Sequence, residues 1–213
     1  MMLTIEVWSD FVCPFSYISL KNLTRAIERE NIEQVAFRFN SFLLYPFARR
    51  GENEPMQQYL SNKYGVSEQE AWTLMEDVAK IAKESDLHFK LHQLRPTNTI
   101  TAHRLAKLAK RYHLQVNFYE VFQRAFFEQQ QMLDRLEVLQ QLALVVGLPE
   151  KEVKKVLSNS ALLEAEVEAD LFRAQQLRIQ GTPYFIFSGL KHVAGLQSFD
   201  SFVQILKEFQ YNS

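Results

Sequence analysis

The sequence predicts an α/β fold in which a long helical segment interrupts a small sheet. Alternation of apolar and polar residues predicts two strands near the start, at residues 3–9 and 35–42, with a helix between them. Strand signals return only at residues 183–187 and 192–194. The pattern between these two regions is almost entirely helical. We therefore expect one α/β unit with a large all-helical insertion.

The first strand, the helix and the second strand form a β-α-β unit. Pro14 stands in the first turn of the helix predicted over residues 14–29, where the missing N–H of proline costs nothing. Two strands joined through one helix need a right-handed crossover and lie parallel to each other. The strands at residues 3–9 and 35–42 are therefore expected to be parallel.

Seven helical segments are predicted after Pro46. Ser67 and Glu70 form a capping-box pattern that predicts the start of the second segment. Asn98 is the expected N-cap of the third segment, and Gly147 predicts the end of the fifth. The predicted segments are residues 57–63, 67–85, 98–112, 116–128, 136–146, 150–157 and 161–177.

The closing part of the chain has a β-β-α pattern. A turn at Ser188 and Gly189 joins the two late strands into a hairpin, and an amphipathic helix is predicted at residues 199–210. Together with the opening β-α-β unit, this order is typical of a thioredoxin-like fold. The predicted domains are a thioredoxin-like domain over residues 1–50 and 178–213 and an inserted helical domain over residues 51–177.

The composition excludes several classes of function. The chain has 213 residues, of which 47% are apolar, and its formal net charge is −1. Such a balance favours neither nucleic acid nor a membrane surface as a partner. The opening residues do not resemble a secretory leader, and no stretch approaches the roughly 18 apolar residues of a membrane span. We expect a soluble, cytoplasmic protein.

Cys13 is the single cysteine of the chain and lies where a strand leads into a helix. A lone cysteine excludes an internal disulfide and a cysteine-based zinc site, and we expect no other metal site. The N–H groups at a helix start stabilise a thiolate. We therefore expect Cys13 to be reduced and more acidic than a free thiol, although a small buried side chain is the alternative.

A second motif, Gly181-Thr182-Pro183, comes immediately before the third strand. In a thioredoxin-like sheet this loop returns beside the cysteine. Pro183 can open a strand because its missing N–H need not join a ladder. If the bond before Pro183 is cis, the backbone of Thr182 can pair with an extended or thiol-bearing substrate; an ordinary turn proline is the alternative. The inserted helices would cover the sulfur of Cys13 and shape a pocket there.

Four residues near these motifs have two interpretations each. Ser16 either caps the first turn of the helix or contacts the thiolate. Trp8 either lines a pocket or packs in the core, and His103 is either a catalytic base or a satisfied core histidine. Asp10 either raises the pKa of Cys13 through its like charge or only caps the loop.

Four motifs occur in an order typical of one known family. Residues 7–14 resemble its active-site opening, and residues 98–104 resemble a signature in its helical domain. Residues 181–185 resemble its cis-proline loop, and residues 195–197 its closing motif. The chain is thereby similar to the DsbA-like branch of the thioredoxin superfamily, close to the FrnE-type oxidoreductases. That branch also includes the kappa-class glutathione transferases and the 2-hydroxychromene-2-carboxylate isomerases.

The resemblance implies a thioredoxin fold with an inserted helical domain and thiol–disulfide chemistry. It also implies a set of site residues around the cysteine. The expected catalytic residues are Cys13 and Ser16, and the expected substrate-binding residues are Pro14, Phe15, Thr182, Pro183, Trp8 and His103.

Two departures from the family's pattern matter. FrnE-like members usually carry a second cysteine two residues after Pro14, where this chain has Ser16, and Leu196 replaces the usual alanine of the closing motif. With one thiol, Cys13 can form a mixed disulfide that an external thiol must resolve. We expect a monothiol oxidoreductase or disulfide isomerase that acts on protein or small-molecule disulfides. A low-molecular-weight thiol would be its co-substrate, without a tightly bound cofactor.

Two other functions stay open at this point. A glutathione-transferase-like or isomerase-like enzyme would hold a thiol cofactor beside Cys13 and Ser16. In those relatives the motif position is typically a serine, so the cysteine here favours redox chemistry. A non-catalytic binding or adaptor protein would keep the fold without turnover and would engage a protein partner or a second copy of the chain.

Overall fold

Strands and helices follow one another in the predicted order. The computed structural model describes residues 2–49 and 54–211, where four strands form one sheet and nine helices accompany it. The predicted α/β fold class is therefore confirmed. The elements are β1 (Leu3–Ser9), α1 (Pro14–Arg29), β2 (Val35–Ser41), α2 (Met56–Tyr64), α3 (Glu68–Glu84), α4 (Ile100–Arg111), α5 (Gln115–Phe127), α6 (Leu136–Val146), α7 (Glu150–Ser158), α8 (Glu164–Gln176), β3 (Tyr184–Phe187), β4 (Lys191–Ala194) and α9 (Phe199–Tyr211).

The sheet has the strand order β2-β1-β3-β4. β1 and β2 are parallel, with Leu3 opposite Val35, as the β-α-β pattern predicts. β3 runs antiparallel to β1, with Trp8 opposite Tyr184, and β4 completes the hairpin with β3. The residues that follow β1 and those that precede β3 therefore meet at the same end of the sheet.

One large apolar cluster joins the sheet to the helical segment. Ile5 and Val7 of β1 are fully buried, and as alternate residues of a strand they lie on one face of the sheet. Phe11, just after β1, stacks on Tyr119 of α5 with ring centroids 4.4 Å apart, and its ring lies 5.6 Å from that of Phe122. Aromatic pairs at such distances add to the free energy of burial. The helical segment thus shares a hydrophobic core with the sheet.

The helices α2 to α8 lie between β2 and β3 in the sequence, as the insertion predicts. The predicted junction between residues 50 and 51 lies outside the described residues. The division of the chain into two domains, with its second boundary at residues 177 and 178, stays a prediction.

A buried ion pair attaches α8 to the rest of the fold. Lys107 of α4 donates a hydrogen bond to Asp170 of α8, and the N–H of Ser41 donates to the same carboxylate oxygen at 2.6 Å. Burial lowers the pKa of Lys107, and the charge of Asp170 opposes that shift. The backbone carbonyl of Asp170 also accepts a hydrogen bond from Trp8 at 3.4 Å. One residue of α8 therefore connects β1, β2 and α4.

Two helix starts differ from the sequence prediction by more than one residue. α8 begins at Glu164 rather than at residue 161, because Leu163 has a φ of 67°, outside the right-handed helical region. α4 begins at Ile100 with Thr99 as its N-cap, so the assignment of Asn98 as N-cap was wrong. Asn98 Oδ1 nevertheless accepts a hydrogen bond from the N–H of Ile100 at 3.0 Å, which satisfies one free donor of the first turn.

Asp170→Ala should lower the free energy of unfolding by about 3–5 kcal/mol, because it leaves the ammonium of Lys107 buried without its charged partner. Glu166→Ala on the same helix is the control. It removes an exposed pair with Arg111 and should cost less than about 1 kcal/mol. Urea denaturation of both variants measures the difference, and equal losses would contradict the connecting role of Asp170.

Candidate active site at the Cys13 loop

Cys13 lies at the junction of the first strand with the first helix. It is the N-cap residue of α1 with extended φ and ψ of −91° and 112°, and Pro14 follows at the helix start. Its N–H donates a hydrogen bond to the carbonyl of Asp10 at 3.2 Å, which closes a tight loop between β1 and α1. The side chain is only 2% exposed. The strand–cysteine–helix context agrees with the sequence analysis, and the burial agrees with the alternative given there, a small buried side chain.

The loop before β3, although distant from Cys13 in sequence, contacts its sulfur. The Thr182–Pro183 peptide bond is cis, and both residues are buried. The thiol of Cys13 donates a hydrogen bond to the carbonyl oxygen of Thr182, with a distance of 3.2 Å between Sγ and the oxygen. This approach follows from the antiparallel pairing of β1 with β3. Two motifs that are 169 residues apart in sequence thus share one hydrogen bond.

Ser16 completes the contact between α1 and this loop. Its hydroxyl lies 2.5 Å from the hydroxyl of Thr182, and either oxygen can be the donor. The serine side chain is fully buried. Ser16 therefore stands beside Cys13 on the first turn of α1 and is hydrogen-bonded to the residue whose carbonyl faces the thiol.

The expectation of an unusually acidic thiol was wrong for this structure. Burial raises the pKa of Cys13 above its usual value, because the thiolate loses the solvation that it has in water. The hydroxyl and the N–H of Ser16 oppose this shift by stabilising the thiolate, while the charge of Asp10 adds to it. The first turn of α1 acts in the predicted direction, but burial outweighs it. The resting side chain is a neutral thiol that donates to Thr182.

Asp10 and His103 form a buried polar cluster next to the Cys13 loop. Both side chains are fully buried, and Nε2 of His103 lies 3.4 Å from Oδ1 of Asp10. Neither ring nitrogen of His103 has a well-oriented hydrogen-bond partner among the described residues. The imidazole packs against Phe11 with ring centroids 4.7 Å apart. His103 thus faces a carboxylate in the active-site loop, and its predicted contact with substrate stays a prediction.

Three other predicted site residues lie in different surroundings. Pro14 and Phe15 are partly exposed at the start of α1, directly after the thiol. Trp8 is fully buried in a second apolar cluster with Ile179 and Ile186, where Arg173 also lies over its ring at 5.1 Å. These contacts of Trp8 are those of a core residue on the sheet face covered by α8. The cluster matches the core-packing interpretation of Trp8.

Sequence reasoning missed the segment that follows β2. The N–H of Leu44 donates to Oδ2 of Asp10 at 2.8 Å. Burial raises the pKa of Tyr45, and the electrostatic effects of Tyr59, Cys13 and Asp10 raise it further. The predicted topology could have indicated this segment. Neighbouring parallel strands finish at the same end of the sheet, so the residues after β2 are expected near those after β1.

The described residues show neither a metal centre nor a membrane helix. Within residues 2–49 and 54–211, no three His, Cys, Asp or Glu side chains group together in a way that could hold a metal ion. Of the helices in this part of the chain, none is both long and apolar enough to cross a bilayer.

Comparison with known proteins agrees with this geometry. A profile of the DSBA-like thioredoxin domain family matches residues 4–207, which confirms the resemblance inferred from the sequence motifs. No significant match was found among curated proteins.

Three solved structures are similar over nearly their whole length. A probable DsbA oxidoreductase from Streptomyces coelicolor is 28% identical with a TM-score of 0.89, covering 99% of this chain and 91% of that one. A 2-hydroxychromene-2-carboxylate isomerase is 17% identical with a TM-score of 0.70, covering 98% and 95%. The cytosolic disulfide reductase DsbM from Pseudomonas aeruginosa, solved with GSH, is 15% identical with a TM-score of 0.68, covering 98% and 99%. At these low identities, the last two structures show only that they have the same fold as this chain.

Alkylation of Cys13 should be slow at neutral pH. Because burial raises the pKa of this thiol, its rate should rise only as the pH passes above the ordinary thiol value of about 8.5. Intact mass after timed exposure to iodoacetamide across pH measures the profile. Cys13→Ser, which has no thiol, should remain unlabelled, and a midpoint below about 8.5 would contradict the neutral resting state.

Ser16→Ala should move the midpoint of this profile to higher pH, because the lost hydroxyl stabilises the thiolate. Ser19→Ala is a matched control on the same helix. Its buried hydroxyl accepts a hydrogen bond from the N–H of Gln197 instead, so the midpoint should stay at the wild-type value. A shift of the same size in both variants would show that Ser16 acts only through the packing of α1.

Proposed function

Because this chain belongs to the DSBA-like thioredoxin domain family, we propose that it exchanges thiols and disulfides with Cys13 as its single nucleophile. Family membership supports thiol–disulfide oxidoreductase activity in general. The observation that carries the narrower proposal is the 3.2 Å contact between Cys13 Sγ and the carbonyl of Thr182. It joins the thiol to the loop that would position a substrate.

The reaction proceeds by two exchanges. The thiolate of Cys13 attacks one sulfur of a bound disulfide, a mixed disulfide forms, and the second sulfur leaves as a thiolate. That leaving group takes up a proton equivalent to the one that Cys13 gave up. An external thiol then attacks the mixed disulfide, which releases Cys13 and joins the external sulfur to the substrate sulfur. Since the chain has one cysteine, the second thiol must come from another molecule.

Substrate binding and thiol activation are coupled through Thr182. In the resting state its carbonyl accepts the hydrogen bond of the thiol. A backbone N–H of an extended substrate can take the same acceptor, and the thiol then loses the hydrogen bond that favours its neutral form. The hydroxyl and the N–H of Ser16 remain to stabilise the thiolate. Because Cys13 is 2% exposed, the residues around it must move before a disulfide can reach the sulfur.

A low-molecular-weight thiol is our candidate for the resolving partner. The disulfide reductase DsbM, which has the same fold, was solved with GSH. A cytoplasmic location, where such thiols are abundant and disulfides are rare, belongs to the same proposal. We also place the chain among the FrnE-like members as a monothiol form, on the motifs of residues 7–14 and 181–185. Its substrates would be protein or small-molecule disulfides.

One observation favours a second candidate, a transferase or isomerase that uses a thiol cofactor. Ser16 and Thr182 present two hydroxyl groups 2.5 Å apart beside a buried Cys13, and such hydroxyl groups can hold the thiolate of a bound cofactor. In that enzyme the reacting sulfur belongs to the cofactor. Catalysis would therefore survive Cys13→Ser, whereas thiol–disulfide exchange would not.

Exposure to oxidised glutathione or another small disulfide should give one adduct per chain, measured by intact mass and removed by a reductant. Cys13→Ser should give none, because no other thiol exists in the chain. The absence of an adduct on the folded wild-type protein, at any pH at which it stays folded, would contradict exchange at Cys13. Retention of enzymatic turnover by Cys13→Ser would favour the second candidate.

Ser16→Cys should convert the site to one that resolves its own mixed disulfide. A thiol three residues after Cys13 on the first helical turn can attack the adduct and close an internal disulfide. The adduct should persist in the wild type until external thiol is added, and it should be lost spontaneously in Ser16→Cys. Ser19→Cys adds a thiol further along α1 and should leave the adduct in place. Persistence in both variants would contradict the assignment of position 16.

A further inference from the structure

Asp10 is a fully buried carboxylate three residues before the nucleophile, and its side-chain contacts reach two other segments of the chain. Oδ2 accepts a hydrogen bond from the N–H of Leu44 at 2.8 Å. Oδ1 accepts one from the hydroxyl of Thr99 at 2.7 Å, and Nε2 of His103 lies 3.4 Å from the same oxygen. A buried carboxylate is costly, so these donors are what allow it to remain there.

The partners of Asp10 come from two segments that are distant in sequence. Leu44 belongs to residues 42–48, which we call the cover segment and which includes Tyr45. Thr99 and His103 belong to the start of α4 in the helical segment. The carboxylate of Asp10 therefore ties the active-site loop to the cover segment and to the helical segment at one point.

We propose that Asp10 is a positioning residue for the chemistry of Cys13: its carboxylate holds the cover segment against the active-site loop, and its negative charge adds to the effect of burial in disfavouring the thiolate. This inference rests on the proposed function, since it assumes that Cys13 is the nucleophile. Asp10 itself does not touch the disulfide. Its negative charge acts on the sulfur of Cys13 electrostatically. Its hydrogen bond with the N–H of Leu44 holds the cover segment.

The charge of Asp10 acts on Cys13 in surroundings of low polarity. Like charges in a buried site repel strongly, so the carboxylate disfavours a thiolate in the same loop, and the direction of its effect on the pKa of Cys13 agrees. The other titratable groups around the cluster are His103 from α4, Tyr45 from the cover segment and Tyr119 from α5. Burial raises the pKa of both phenols, so they are neutral.

Asp10→Asn separates the charge from the hydrogen bonds. The amide oxygen can accept from the N–H of Leu44, and the amide nitrogen can donate to the hydroxyl oxygen of Thr99, so both residues keep a hydrogen bond to position 10, with its direction reversed at Thr99. Only the negative charge is lost. The midpoint of Cys13 alkylation against pH should therefore move down by about one pH unit relative to the wild type.

Asp10→Ala tests the second role. It removes the charge together with the acceptor for Leu44, so the midpoint should fall as in Asp10→Asn. In addition, the limiting alkylation rate at high pH should exceed that of Asp10→Asn, because the cover segment is no longer held. Equal limiting rates in the two folded variants would overturn the holding role.

Thr99→Val is the matched control of opposite sign. It removes one hydrogen bond to the carboxylate and leaves the charge less dispersed, so the midpoint should move up. A purely structural disturbance of the cluster would move the midpoint in the same direction in Thr99→Val and Asp10→Asn. This variant also keeps the test available if the Asp10 variants fail to fold, since a fall or no change in its midpoint would overturn the charge role.

The outcomes distinguish this inference from the function on which it rests. If the wild type forms the reducible adduct and Asp10→Asn keeps the wild-type midpoint, the proposed function stands and the charge role of Asp10 is wrong. If the folded wild type forms no adduct at any pH, the proposed function is wrong and this inference falls with it. Opposite shifts in Asp10→Asn and Thr99→Val would establish the charge of Asp10 as the cause.

Discussion

Antiparallel pairing of β1 with β3 places the residues after Trp8 beside the residues before Tyr184. The contacts of the Thr182 loop with the thiol depend on this pairing, because it brings the carbonyl of Thr182 to the sulfur of Cys13 and the hydroxyl of Thr182 to that of Ser16. The parallel pairing of β1 with β2 adds the segment that follows β2 at the same end of the sheet. Strand order thus assembles the site, and the side chains then decide what it does.

Burial decides the resting state of the thiol. A helix N-terminus typically stabilises a charge by about 0.3–1 kcal/mol. Full burial can move the pKa of an acidic group by about 3–5 units, and one unit corresponds to about 1.4 kcal/mol. The contributions of Ser16 and of the start of α1 are therefore outweighed, and Cys13 rests as a neutral donor to Thr182. A monothiol enzyme of this kind would be activated when substrate replaces that hydrogen bond, which protects the lone thiol between turnovers.

Two carboxylates, Asp170 mostly buried and Asp10 fully buried, hold the helical segment to the sheet. Asp170 of α8 meets Lys107 of α4 and the N–H of Ser41, and Asp10 meets Thr99 and the N–H of Leu44. Each carboxylate accepts backbone and side-chain donors from different elements, as a buried charge requires. The first cluster fixes α8 on the sheet, and the second lies beside the thiol. Charge placed at the junctions of the fold therefore serves both its assembly and its chemistry.

The sequence by itself determined the local elements and the chemical inventory. Contacts within a few residues define some helix ends. The capping box of Ser67 with Glu70 begins α3, and Gly147 in the left-handed conformation ends α6, so the local sequence predicted both. The single cysteine likewise determined that, in the proposed exchange, the resolving thiol must come from another molecule. Tertiary structure alone decided the burial of Cys13 and the hydrogen bonds of Asp10, since desolvation depends on groups distant in sequence. The periodicity of apolar residues predicts which side chains face the core, but not which of them contact one another.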